Sequence, residues 1–253
     1  MSNPILNENF ASQERILSSE PMTINGAITK TALLLALVAV SFIYTWSLAF
    51  QGFTDKVQML IWIGAIGGLI SVLAAAFTTR ASMAKGENPT AVIWLAPAYA
   101  IFEGLCLGGI SAAYEAFMEG IVLHAIVATF AVMLVMLALF RTGAIKVTEK
   151  FRSVLLTAML SILAIYLIQF VAQFFGRGIP VIFGSGMFGI GFSIVVIAIA
   201  ALNLIIDFDF IEQASQNLMP KNYEWYGALG LMVTLVWLYL EILRLLAKLN
   251  SRR

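Results

Sequence analysis

The chain has 253 residues, of which 61% are hydrophobic and only 11% charged, with a formal net charge of +1. A water-soluble protein of this size has too little interior for so much apolar side chain and normally carries charge on roughly a quarter of its residues, so the bilayer is the expected solvent. The small net charge and the lack of a basic tract argue against nucleic acid as a partner. The single cysteine, Cys106, excludes an internal disulfide, and the single histidine, His124, excludes paired-histidine zinc motifs.

Residues 1–29, MSNPILNENFASQERILSSEPMTINGAIT, are polar and mixed in charge. They lack the basic start and brief apolar core of a secretory signal and read as a soluble tail. Seven apolar runs follow, near 31–53, 57–78, 91–113, 120–140, 153–175, 183–211 and 225–247. About 20 helical residues cross roughly 30 Å of hydrocarbon, so each run predicts one span. Helices keep their backbone hydrogen bonds internal, as lipid requires. A β-barrel would need alternating polarity, and these runs are apolar on every side. The connections are short, so residues 30–249 are expected to form one seven-helix bundle, followed by a basic tail, 250–253.

Basic residues set the expected orientation. Arg80 and Lys85 lie between spans 2 and 3; Arg141, Lys146, Lys150 and Arg152 lie between spans 4 and 5. The opposite loops hold only Lys56 and Arg177. Spans 1 to 6 thus predict a cytoplasmic N-terminus. A seventh full crossing would put Arg252 and Arg253 outside, so either the tail is an exception or the last segment does not cross simply. Gly64, Gly67 and Gly68 in span 2, Gly104 and Gly108 in span 3, and GSGMFGIG at the start of span 6 mark places where helix backbones approach closely.

Ionisable groups inside a span are costly, and each is a functional candidate. Glu103, in APAYAIFEGLCLGG, falls near the bilayer centre, either as protonated glue between helices or in ion passage. Glu241 lies within VWLYLEILRLLAKL, three residues before Arg244, close enough for a local ion pair. His124, near the start of span 4, reads as an interfacial histidine or a pH sensor. Asp55, Glu87, Glu115 and Glu119 sit at loop edges and are expected to be solvated. AALNLIIDFDFIEQASQ ends span 6 with Asp207, Asp209 and Glu212. Asp207 and Asp209 are about 200° apart on a helix, so they face different neighbours. Asp207 is the candidate for the interior, with Asp209 and Glu212 on the exit face.

Three motifs give the chain a resemblance to the Bax inhibitor family, the transmembrane Bax inhibitor motif proteins, and within it to a bacterial branch with a polar N-terminal tail. FEGLCLGGI resembles the family's EGLTLGPI pattern. LNLIIDFDFIE resembles its LYDTQ region, with Asp207 on the aspartate. LMVTLVWLYLEILRLL resembles its final helix. The resemblance implies an all-α fold of six helices around a central seventh, in a bacterial inner membrane. It also implies a pH-sensitive calcium leak governed by one membrane-embedded aspartate from each of the last two helices. Two such carboxylates share a proton, and when ionised they attract a hard divalent cation. Here Thr234 stands where the family has its second aspartate. Three readings stay open: Glu241, seven residues on and on the same side of the helix, substitutes for it; Glu103 does; or Asp207 simply hydrogen-bonds to Thr234 and never acts as a gate.

Two functions follow as expectations. One is a passive cation pathway for Ca²⁺ or H⁺ through Asp207, Glu241, Glu103 and Thr234. The other is a non-transporting regulator that binds membrane proteins, such as a membrane-bound protease, through its tail. The expected partners are membrane lipid, Ca²⁺ and other membrane proteins. No cofactor, bound metal or catalytic residue is expected. The chain carries no serine-hydrolase or zinc motif, and LII precedes Asp207 where an intramembrane aspartyl protease has GxG.

Overall fold

The computed structural model describes residues 20–176, 182 and 184–251. Most of the predicted polar tail, Arg177, Arg252 and Arg253 lie outside the described residues. Among the described residues there are seven long helices and no extended strand. They are α1 (Ile24–Phe50), α2 (Thr54–Lys85), α3 (Val92–Phe117), α4 (Ile121–Arg141), α5 (Glu149–Phe174), α6 (Met187–Gln216) and α7 (Tyr223–Asn250). All seven are long and apolar enough to cross a membrane. The chain is an all-α integral membrane protein.

The helices begin and end where backbone chemistry stops them, not where hydropathy does. α1 starts at Ile24, inside the segment predicted as tail, because the Thr23 side chain accepts from the Gly26 N–H and caps the first turn. α2 runs on to Lys85, well past 78, and stops at Gly86, whose left-handed φ of 64° a side chain would resist. Its 32 residues extend about 48 Å, more than the hydrocarbon needs, so its polar end projects beyond the apolar layer. Thr148 caps α5 through the Phe151 N–H.

The described residues divide into two compact units, 20–113 with 210–232, and 114–209 with 233–251. In the first unit, glycines on α2 and α3 bring backbones into contact. A Cβ at Gly104 would run into Ser41 and the Val38 carbonyl on α1, and one at Gly108 into the Phe42 carbonyl. One at Gly64 would meet the Cys106 N–H and the Phe102 carbonyl. This closeness gains dispersion contact that lipid tails cannot supply.

The same unit ties the entry to α1 onto the α6–α7 connection. Met22 N–H donates to Met219 O at 2.7 Å and Lys221 N–H to Glu20 O at 3.0 Å. Met22, Ala27, Ile211, Ala214 and Tyr223 form a small apolar core beneath these bonds. Outside the spans, the Lys221 ammonium beside Glu20 holds that carboxyl below its usual range. Of the seven helices α7 is the most enclosed. Residues within its most apolar stretch are 61% buried, against 44% for α3 and α6 and less elsewhere.

Gly108→Ala tests the α1–α3 approach. The obstacle is a backbone carbonyl, which cannot rotate away as a side-chain tip can. The variant is expected to lose about 1–3 kcal/mol of stability, read as a lower unfolding temperature in detergent. Gly191→Ala, whose Cβ meets open space, should leave that temperature unchanged.

Candidate functional site

In the second unit, α6 and α7 meet through a row of buried polar side chains. Thr234 on α7 is 3% exposed and Asn203 on α6 is 9% exposed. Asn203 Nδ2 donates to Thr234 Oγ1 at 2.9 Å. Thr234 in turn makes a side-chain hydrogen bond with Asp207. Since its oxygen accepts from Asn203, its one hydroxyl proton is available for the carboxylate. Position 234 therefore faces Asp207, as the alignment of the last helix predicts. The other Asp207 oxygen, Oδ2, is shielded and has no hydrogen-bond partner among the described residues. Asn203 is one turn from Asp207 and shares its face.

Asp209 points elsewhere, as its angular separation predicts. It pairs with Arg152 near the start of α5. The two aspartates are thus distinct in kind, Asp209 paired with a cation and Asp207 bonded to a neutral hydroxyl.

Glu241 occupies the middle of the row and is 1% exposed. Its Oε1 accepts from the Tyr166 hydroxyl on α5 and from Arg244 Nη1 at 2.6 Å. Arg244 Nη1 also donates to the Tyr166 oxygen at 2.8 Å, with the guanidinium over the ring. The local Glu241–Arg244 pair is present, and Tyr166 closes it into a triangle. Among the described residues Glu241 Oε2 is shielded and has no hydrogen-bond partner.

Lys248 forms the last rung. Its ammonium reaches Gly189 O and Ser193 Oγ, each at 2.9 Å, near the start of α6. Asp207 and Ser193 are 14 residues apart on α6, as are Thr234 and Lys248 on α7. Two antiparallel helices bonded at both ends of equal intervals stay in register between them. That register sets Ala200, fully buried, level with Glu241. The row extends about 21 Å along the helix axis.

Asp207 and Glu241 have separate partners, so Glu241 is not the displaced second acid of a carboxylate pair. Glu103 belongs to the first unit, where its Oε2 lies over Gly68 of α2, 2.8 Å from where a Cβ would be. His124 is exposed, with Nδ1 bonded to Gly120 O at 2.6 Å. Glu115, expected to be solvated, instead accepts from the Gly120 N–H at 2.6 Å and the Val122 N–H at 3.1 Å, which binds the α3–α4 turn.

Sequence reasoning missed Asn203, Tyr166 and Glu224. Glu224, in the first turn of α7, is 1% exposed. In the first unit it accepts from the Thr23 N–H at 2.9 Å and pairs with Lys30. A Cβ on Gly26 would occupy the place of this carboxylate. An acid within a turn of a long apolar run, with a lysine one turn into another, is the signal that could have found it.

Removing one member of the Glu241 triangle separates its parts. Glu241→Ala leaves Arg244 without its anion and is expected to lower stability by about 3 kcal/mol, the low end for a broken buried pair because Arg244 is partly exposed. Tyr166→Phe removes one hydroxyl and is expected to cost about 1–2 kcal/mol. Thermal unfolding of the detergent-purified variants checks the order.

Residues 3–251, nearly the whole chain, match the family model described as Bax inhibitor 1 like. No curated relative matches the chain. The chain belongs to the Bax inhibitor 1 like family.

Proposed function

We propose that this Bax inhibitor 1 like protein is a pH-sensitive passive cation leak of the bacterial inner membrane, with Ca²⁺ or H⁺ as the ion and Asp207 as the gating carboxylate. Its N-terminus faces the cytoplasm, and it works as a conduit and not as an enzyme. The observation that carries this reading is the state of Asp207 inside α6: one oxygen is bonded to Thr234, and the other is shielded and has no partner among the described residues.

A carboxylate in hydrocarbon without a cation partner is costly. Two events relieve that cost. A proton neutralises the group and lets it donate from the orphan oxygen. A divalent cation supplies the missing charge, and carboxylate oxygen is its preferred ligand. The two compete for one group, so flux depends on pH. Thr234 and Asn203 hold the side chain in place through either change.

Asp207→Asn keeps size and polarity but cannot ionise. In proteoliposomes the parent leak should vary with pH across about 6 to 8, and the variant leak should not. If the variant tracks the parent, Asp207 is structural. If the parent carries no cation at any pH, the regulator that binds other membrane proteins becomes the better reading. Thr234→Asp places a second acid against Asp207, and the leak should then depend more steeply on pH than the parent's.

A further inference from the structure

A lysine near the end of a membrane-spanning helix normally extends its ammonium outward to the interface. Lys248 does the opposite. It lies in the last turns of α7, is 6% exposed, and turns inward. Its ammonium donates to Gly189 O at 2.9 Å, Ser193 Oγ at 2.9 Å and Ile182 O at 3.3 Å. Among the described residues it forms no ion pair with a carboxylate.

A buried charge needs compensation, and among the described residues the oxygens that bond this ammonium are all neutral. Two carbonyls and a hydroxyl around one positive charge are the ligand chemistry of a hard cation. Such oxygens replace the hydration shell in ion pathways. The loop is shaped for this. A Cβ on Gly189 would run into the Gly184 carbonyl, so glycine there lets the carbonyl-bearing chain fold onto the start of α6.

We propose that the Lys248 ammonium is a tethered cation that occupies an oxygen-lined cation site made by Gly189, Ser193 and Ile182, and that it plugs this end of the α6–α7 row. The site belongs to a small hard cation such as K⁺, and the lysine is its resident competitor. The plugging role rests on the leak reading; the cation site does not. A lysine that only caps the loop would leave no cation site when removed.

The test uses the full-length protein with Lys248→Met, which keeps an unbranched side chain one atom shorter and removes the charge. In detergent, K⁺ at about ten times its Kd should raise the variant's unfolding temperature by about 3–6 °C. Choline chloride at equal ionic strength should not, and the parent should respond to neither. In proteoliposomes the variant should leak K⁺ several-fold faster than the parent. A variant that is indifferent to K⁺ and leaks like the parent overturns the proposal. A K⁺-specific rise with no flux from parent or variant upholds the cation site and overturns the leak reading alone. If the Met variant does not fold, Lys248→Ala, which leaves the three oxygens free, takes its place. A folded Ala variant without a K⁺-specific shift overturns the proposal as well.

Discussion

Inside hydrocarbon a polar side chain has no water to turn to, so each one on α7 must be answered by another part of the chain. Thr234, Glu241 and Lys248 recur at seven-residue intervals, nearly two helical turns, and so lie along one side. Each is answered differently. Thr234 meets Asn203 and Asp207, Glu241 meets Tyr166 and Arg244, and Lys248 meets Gly189 and Ser193. Apolar packing tolerates helices that slide or rotate by a few degrees; hydrogen bonds at both ends of a 14-residue interval do not. The polar row therefore fixes how α6 and α7 match in the second unit, while small and aliphatic residues such as Ala200 and Leu238 fill the space between its rungs.

The first unit solves the same problem at its edge. The start of α1 has backbone N–H groups without intrahelical partners, and Thr23 and Glu224 supply acceptors. Lys30 then balances the Glu224 charge, so the ion pair is held by a cap and the cap by an ion pair. Such mutual support makes a buried carboxylate tolerable, since breaking either contact leaves the other group uncompensated.

The seven spans were legible because hydropathy is summed over some twenty residues and no single misreading disturbs the sum. Helix ends were not, because they depend on local caps such as Thr23 and Gly86. Asp207 stood out as an acid in an apolar run, and its partner Thr234 was found through the family's final-helix motif. Asn203 and Tyr166 escaped because neither is charged and tyrosine counts as apolar in a span, yet Tyr166 bonds Glu241 directly and Asn203 orients the Thr234 hydroxyl that meets Asp207. Lys248 was passed over as part of an apolar final helix, since sequence gives no sign that a terminal lysine turns inward. Charge is visible in one dimension; pairing is a property of three.

Two acids in the row have one shielded oxygen without a partner among the described residues, Asp207 Oδ2 and Glu241 Oε2, yet they are not equivalent. Glu241 has a guanidinium at 2.6 Å on the next turn of its own helix. Its charge is answered in place, and a proton or entering cation would have to compete with an arginine that cannot move far. Asp207 has no cation among its contacts with the described residues, only a hydroxyl, itself oriented by an amide. Its charge is answered by whatever arrives. A site that binds too firmly traps its ion, and one that binds too weakly admits none, so a passive route works best with an acid whose partners are neutral. Under the leak reading, that contrast gives Glu241 a structural part and Asp207 the responsive one.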